Sequence, residues 1–198
     1  MALDDLEDEL AEHVRRAQAG DEGAFSALYT TLQPRVLRYL RLLVGDDAED
    51  VASEVWFQVT RDLSGFSGDG PGFRGWTATI ARNRAMDHLR RTKRRPSTPV
   101  PVEKLIELAS SEDTAGTMIA TESAIQLISR LPKDQAEAVL LRVVLDLDVE
   151  TVARVLGKRS GAIRTSAYRG LRGLAKILEK SDPNWVTGAT AVALEDMK

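Results

Sequence analysis

The sequence predicts an all-α protein made of two small helical domains joined by a flexible linker, with a helix-turn-helix in the C-terminal domain. The helix formers Ala, Leu, Arg and Glu are abundant. Apolar residues recur at helical spacing, and no segment sustains the apolar/polar alternation of a strand. A stretch rich in Pro, Ser and Thr separates two such periodic parts. The 198 residues, 43% hydrophobic and 29% charged, suit one large or two small globular domains.

The N-terminal residues 1–21 form an acidic segment, which is read as a solvated first helix. A sharper hypothesis is that this segment, or the C-terminal tail, modulates activity by contacting a basic helix further along the chain. The first domain then covers residues 22–95. Its first helix begins near Asp21 or Glu22, carries apolar stripes before and after Pro34, and stops at Gly45.

The next helix of this domain has an acidic outer face. Asp46 or Asp47 is predicted to cap it, Val51, Val55 and other apolar residues turn inward, and acidic side chains remain outside. The Gly-rich residues 64–73 interrupt helical structure, and a further helix is predicted from Arg74. The aromatic and aliphatic stripes of the domain are read as core, with no cofactor implied.

The helix that follows the Gly-rich stretch is also a polycation. Residues 76–95 hold seven Arg or Lys residues against the single acidic residue Asp87. Since the whole chain has a formal net charge of -3, this positive charge is a local concentration. It predicts a surface for nucleic acid.

Residues 96–120 are predicted to be the linker, residues 121–180 the second domain and residues 181–198 a tail. In the second domain, a short amphipathic helix over residues 149–156 precedes Gly157, which suits a left-handed C-cap. A second helix begins at Arg159 or Ser160, with Ile163 and Ala167 on its inner face. This is the spacing of a helix-turn-helix, whose second helix enters the major groove of DNA.

Several function classes are excluded by composition. The chain has no Cys and two His residues, so no disulfide, thiol chemistry or His/Cys metal site is expected. No nucleophile with a base is apparent, and the alternate glycines 68, 70 and 72 lack the context of a phosphate loop. We therefore expect no catalytic residues, no metal, no cofactor and no enzyme. No apolar run approaches the roughly 20 residues of a membrane span, and the acidic start differs from a secretory signal, so a cytoplasmic protein without membrane insertion is expected.

Three blocks of the sequence resemble the bacterial sigma factors of the extracytoplasmic-function type, which are small relatives of sigma-70. Residues 46–56 resemble region 2.2 of the family, residues 73–91 resemble regions 2.3 and 2.4, and residues 131–174 resemble region 4. The resemblance covers most of residues 22–180. It implies a subunit that binds core RNA polymerase, recognises promoter DNA at the -10 and -35 elements, promotes initiation and is controlled by an anti-sigma factor.

The resemblance also implies roles for particular residues. Core polymerase would be bound by Asp47, Asp50 and Glu54. The -10 element would be bound by the Gly-rich loop and the basic helix, through Gly68, Asp69, Phe73, Arg74, Trp76, Arg82, Asn83, Arg84, Arg90 and Arg91. The -35 element would be bound by the second helix of the helix-turn-helix, through Arg159, Ser160, Arg164, Thr165, Tyr168, Arg169 and Arg172.

Two alternatives remain open at the level of the sequence. One is a helix-turn-helix regulator that binds operators as a dimer without polymerase, with half-sites roughly 34 Å apart. The sequence offers no obvious dimerisation helix for it. The other is an interaction protein that binds only another regulator and has no affinity for DNA.

Overall fold

The computed structural model describes residues 3–94, 127–128 and 130–181. All regular elements in these ranges are helical, which confirms the predicted all-α class. Four helices come first: α1 (Leu3–Gln18), α2 (Glu22–Val44), α3 (Ala48–Asp62) and α4 (Gly70–Arg94). Three more follow: α5 (Lys133–Val139), α6 (Val149–Leu156) and α7 (Ser160–Ser181). None of these helices is long and apolar enough to cross a membrane.

The described residues fall into two compact units. The first unit contains residues 3–94 and 140–160, and the second contains residues 127–128, 130–139 and 161–181. The predicted linker over residues 96–120 lies outside the described residues, and so does the predicted tail over residues 181–198 apart from Ser181, which ends α7. The domain boundaries drawn from the sequence therefore stay predictions.

Helix α1 contributes to the core of the first unit although its sequence is acidic. Leu10 and Val14 on its inner face are buried, and the helix packs against α2 and α4. Its Glu7 carboxylate accepts a hydrogen bond from the Arg74 guanidinium at 3.0 Å. The acidic segment thus contacts the start of the basic helix, the contact on which the modulation hypothesis depends.

Helix α2 begins and ends where the sequence predicts. The Asp21 carboxylate caps it by accepting from the Ala24 N–H at 3.0 Å, and this hydrogen bond, helped by Arg16, holds the pKa of Asp21 below its usual value. The helix runs on through Pro34, which is exposed, so the carbonyl that loses its partner there lies on the solvent side. It stops at Gly45, whose φ of 62° favours glycine.

Two local expectations differ from the structure. Asp47 precedes α3, but its side chain makes no capping hydrogen bond, because its carboxylate pairs with His88 Nε2 at 2.9 Å. The basic helix begins at Gly70 and not at Arg74. The reason is Asp69, whose carboxylate accepts from the Gly72 N–H at 2.7 Å and whose carbonyl accepts from the Phe73 N–H at 2.9 Å. The interruption between α3 and α4 is correspondingly short.

Helix α6 has a cap at each end. Asp148 accepts from the Thr151 N–H at 2.8 Å, and Gly157 adopts the left-handed conformation, as predicted for the C-cap. Partial burial raises the pKa of Asp148, but hydrogen bonds from Thr151 and from backbone N–H groups outweigh it and leave that pKa below 3.8. Thr151 itself is buried against Gly75, at which a Cβ would overlap the Thr151 methyl group.

In the second unit, α5 and α7 approach closely at a glycine. A Cβ at Gly170 would lie 2.7 Å from Val139 Cγ2 and 3.2 Å from the Gln135 carbonyl oxygen. The predicted inner face of α7 is confirmed at Ile163 and Ala167, which are buried. The opposite face of α7 remains exposed.

Candidate nucleic-acid interface

A cleft with aromatic walls opens where the segment between α3 and α4 meets α4. Its volume is about 410 Å³, and its lining residues are Asp62, Ser64, Gly65, Phe66 and Trp76. The Phe66 and Trp76 rings lie 5.2 Å apart between centroids and are tilted by 39°. The cleft therefore presents flat apolar surfaces beside a carboxylate and a hydroxyl group.

The cleft is held in place by contacts from distant parts of the chain. Gln18 Nε2 donates to the carbonyl oxygens of Leu63 and Phe66, at 2.9 and 2.7 Å. Phe73 lies behind the cleft, with its ring centroid 5.4 Å from Phe66 and 5.7 Å from Trp76. Because Phe73 is fully buried, it supports the cleft and offers no surface to DNA in this conformation.

The residues predicted in the Gly-rich loop do not line the cleft but follow its lining residue Phe66 in the chain. Gly68 and Asp69 are exposed, and the Asp69 carboxylate is already engaged in capping α4. The sequence reasoning missed Phe66 and the polar residues Asp62 and Ser64. The signal available for Phe66 was an aromatic residue inside a run of Gly and Ser, a place where a core residue is not expected.

The arginines of the basic helix are largely paired with acidic side chains. Arg84 and Arg91 approach the Glu54 carboxylate of α3 at 3.7 and 3.4 Å, and Arg84 Nε also donates to Gln58. Arg90 pairs with Asp87 one turn away at 2.9 Å. These pairs fix the side-chain directions of the cations and reduce the positive charge that the helix presents.

The remaining predicted residues of α4 differ in exposure. The side chain of Arg74 is only 15% exposed and is held between Glu7 and Asp146. Arg82 and Trp76 are half-buried, and Asn83 is exposed. Arg90 and Arg91 keep side-chain exposures of 70% and 57% despite their ion pairs. The C-terminal part of the basic helix is thus its more accessible part.

The acidic residues in and just before α3 that are predicted to bind core polymerase are of two kinds. Two of them have partners within the unit. Asp47 pairs with His88, and Glu54 pairs with Arg84 and Arg91 of α4. Asp50 is exposed and has no ion-pair partner within 4.0 Å among the described residues. Of the three, Asp50 is therefore the one whose carboxylate makes no hydrogen bond or ion pair with another side chain among the described residues.

The predicted residues of the recognition helix share one outward face. Arg164, Thr165, Tyr168, Arg169 and Arg172 are exposed on α7, Arg159 is exposed just before it, and Ser160 at its start is half-buried. Arg172 lies over the Tyr168 ring, 5.7 Å from its centroid, which orders both side chains. No acidic residue occurs between positions 159 and 178, so the face is uniformly cationic.

Comparison with known proteins assigns both parts of the chain to the sigma-70 family. Residues 28–95 match the family described as Sigma-70 region 2, and residues 121–174 match Sigma-70, region 4. The ECF RNA polymerase sigma factor ShbA of Streptomyces griseus is 32% identical over 181 residues, covering 84% of this chain and 94% of that protein. The ECF RNA polymerase sigma factor BldN of Streptomyces coelicolor is 35% identical over 175 residues, which cover 85% of this chain and 66% of that protein.

A solved structure shares the fold. The sigma factor RpoE of Bartonella quintana, determined in complex with the anti-sigma factor NepR, aligns with a TM-score of 0.58 at 19% identity, over 78% of this chain and 96% of that chain. The sequence matches, which span both family regions at more than 30% identity, confirm the resemblance found in the sequence. The chain belongs to the ECF sigma factors of the sigma-70 family.

Proposed function

We propose that this chain is a promoter-specificity subunit that binds core RNA polymerase, reads the -10 and -35 elements and promotes transcription initiation. The observation that carries the proposal is the presence of both a region 2 and a region 4 match in one chain. Two separate DNA-facing surfaces suit a protein that contacts two elements of one promoter. An operator-binding dimer needs only one such surface in each subunit.

The aromatic cleft is proposed to hold a base flipped out of the -10 element. A base extruded from a duplex needs a pocket with stacking surfaces and a few polar groups. Trp76 and Phe66 supply the rings, and Asp62 and Ser64 supply hydrogen-bonding groups. The exposed residues Gly68 and Asp69 form the loop next to this proposed site. The buried Phe73 supports the cleft from behind and does not contact the base.

The exposed end of α4 is proposed to hold the phosphates of the opened strand. Asn83, Arg90 and Arg91 are exposed on α4. Arg82 and Arg84 on the same helix are half-buried. The carboxylate of Glu54 then competes with these phosphates, since it pairs with Arg84 and Arg91. Arg74, at the opposite end of α4, stays in the proposed -10 interface only as a support for the start of the helix, where Glu7 and Asp146 hold its side chain.

The exposed face of α7 is proposed to enter the major groove at the -35 element. Arginine reads guanine through two parallel hydrogen bonds, and hydroxyl groups bind base edges or phosphates. The outward face combines both chemistries, with Thr165 and Tyr168 among the arginines. Arg159 and Ser160 precede or open the helix, where recognition helices make their base contacts.

Core polymerase is proposed to bind the outer face of α3 around Asp50, with Asp47 and Glu54 at its border. An anti-sigma factor is proposed as the regulator, acting on polymerase-binding surfaces. This role is non-enzymatic and belongs to the cytoplasm, where the polymerase is. The related fold of RpoE, solved with its anti-sigma factor, supports this form of control.

The test is run-off transcription with bacterial core polymerase on a pool of bacterial promoter fragments, with and without the chain. We expect discrete transcripts that depend on the chain. Trp76→Ala should retain core binding and lose promoter opening, because it removes one wall of the cleft. Arg169→Ala should weaken promoter binding, whereas Lys176→Ala, an exposed cation later on α7, serves as the matched control. A folded chain that neither co-elutes with core nor starts a transcript would favour the polymerase-independent regulator.

A further inference from the structure

Phe57 is the most exposed large apolar side chain in the described part of the molecule. It is 71% exposed, compared with 59% for Val143, 42% for Tyr168 and 40% for Tyr29. Its neighbour Trp56 is 6% exposed and packs inward on Tyr29. The inner face of α3 is therefore already filled, and Phe57 takes no part in the core.

The position of Phe57 on α3 aligns it with the free acidic side chain. Phe57 follows Asp50 by seven residues, which is about two helical turns and roughly 10 Å along the axis. Both side chains therefore point to the same side of the helix, with the exposed Ser53 between them. This stripe of Asp50, Ser53 and Phe57 is the outermost line of α3.

The charge around the stripe defines what can bind it. Asp46 and Asp50 are exposed and have no ion-pair partner within 4.0 Å among the described residues. The other acidic residues nearby are compensated, Glu49 by Arg41 at 3.2 Å and Glu54 by the arginines of α4. An isolated apolar residue on a surface is ordinary, but here it shares one face of α3 with the unpaired carboxylate of Asp50, and the unpaired Asp46 lies in the turn just before the helix.

We propose that Phe57 is the apolar anchor of the polymerase-docking surface of α3, with Asp50 as its charged partner. The occupant is a basic helical surface of core polymerase that offers an apolar recess about two turns away from a Lys or Arg residue. This inference rests on the proposed function and adds the residue that supplies most of the affinity. Buried aromatic side chains at the centre of an interface commonly dominate binding, while charges at the rim set encounter rate and salt dependence.

The experiment measures the affinity of the full chain for core RNA polymerase in a salt titration. We expect Phe57→Ser to weaken binding by about tenfold or more, as loss of a central aromatic anchor does, with an unchanged salt slope. Asp50→Asn should weaken binding mainly at low salt and reduce the slope. Val143→Ser, an exposed apolar residue elsewhere, and Glu49→Gln, a compensated acid on the same helix, are the matched controls and should stay within about twofold of the wild type.

Two further readouts keep the outcomes separate. Because Phe57 is exposed, its substitution should leave the far-ultraviolet circular dichroism spectrum and the thermal midpoint unchanged, so a loss of affinity is not a loss of fold. A photo-crosslinking side chain placed at position 57 should attach to core polymerase. Wild-type affinity in Phe57→Ser would overturn this inference and leave the proposed function intact. Absence of core binding by the wild type would overturn the proposed function itself.

Discussion

Three glycines on α7 allow the packing of the recognition helix to be tested by one series of substitutions. Gly161 has no neighbouring atom within 4 Å of the position that a Cβ would take. At Gly173 the new atom would lie 2.9 Å from Leu131 Cδ2, the mobile end of a side chain. At Gly170 it would meet both Val139 Cγ2 at 2.7 Å and the Gln135 carbonyl oxygen at 3.2 Å, and the carbonyl belongs to the backbone of α5.

The expected free energies follow from two opposing terms. Replacing Gly by Ala within a helix stabilises it by up to about 1 kcal/mol. Overpacking against atoms that cannot move costs about 1–3 kcal/mol. We expect Gly170→Ala to be destabilising by about 1 kcal/mol net and Gly173→Ala to be near neutral, because Leu131 can change rotamer. Gly161→Ala should be neutral or slightly stabilising, since only the helix-propensity term remains.

Hydrogen exchange of the α7 amides in the full chain is the suitable assay, because it reports local opening even when two units unfold separately. A loss of about 1 kcal/mol corresponds to roughly fivefold faster exchange. Gly170→Ala should therefore exchange faster than the wild type and Gly161→Ala should not. If Gly170→Ala exchanged as slowly as Gly161→Ala, the close approach of α5 and α7 at this glycine would be refuted.

Three other perturbations follow from the observed contacts. Glu54→Gln should release Arg91 from its 3.4 Å ion pair, so binding to duplex promoter fragments should strengthen and its salt slope should steepen by up to about one; an unchanged slope would contradict this. Asp148→Ala should destabilise α6 by about 1 kcal/mol in urea unfolding, because the hydrogen bond from the Thr151 N–H is lost, whereas Asp148→Asn should retain most of the cap at neutral pH. Folding lowers the pKa of Asp148, so its ionised carboxylate stabilises the folded state fully above its usual pKa of 3.8. This contribution to the free energy of unfolding is lost as the pH falls through the lower folded-state pKa. If the stability of the wild type and of Asp148→Asn fell in parallel on acidification, this linkage would be refuted. Gln18→Ala should speed hydrogen exchange in the segment between α3 and α4, since two hydrogen bonds to its carbonyls are removed; unchanged exchange would show that the loop does not depend on them.

The sequence predicted the helices well because their signals are local. Three predictions depend only on nearby residues: Gly157 as the C-cap of α6, Arg159 or Ser160 as the start of the recognition helix, and Gly45 as the end of α2. The buried and exposed faces of α7 were equally readable, because side-chain direction repeats with the period of the helix. The start of α4 was placed four residues too late, because the capping role of Asp69 was overlooked among the glycines.

By itself, the sequence determined the all-α class, the order of the helices, the cationic face of α7 and the membership in a family with two DNA-facing regions. Only the tertiary structure decided which of these side chains are available. Glu54 and Arg91 are 37 residues apart in the chain and neutralise each other, whereas Asp50 on the same helix as Glu54 stays free. Phe73 is buried and Phe57 exposed. Helical periodicity assigns a residue to one side of its own helix, but the packing of other helices against that side decides whether it meets protein or solvent.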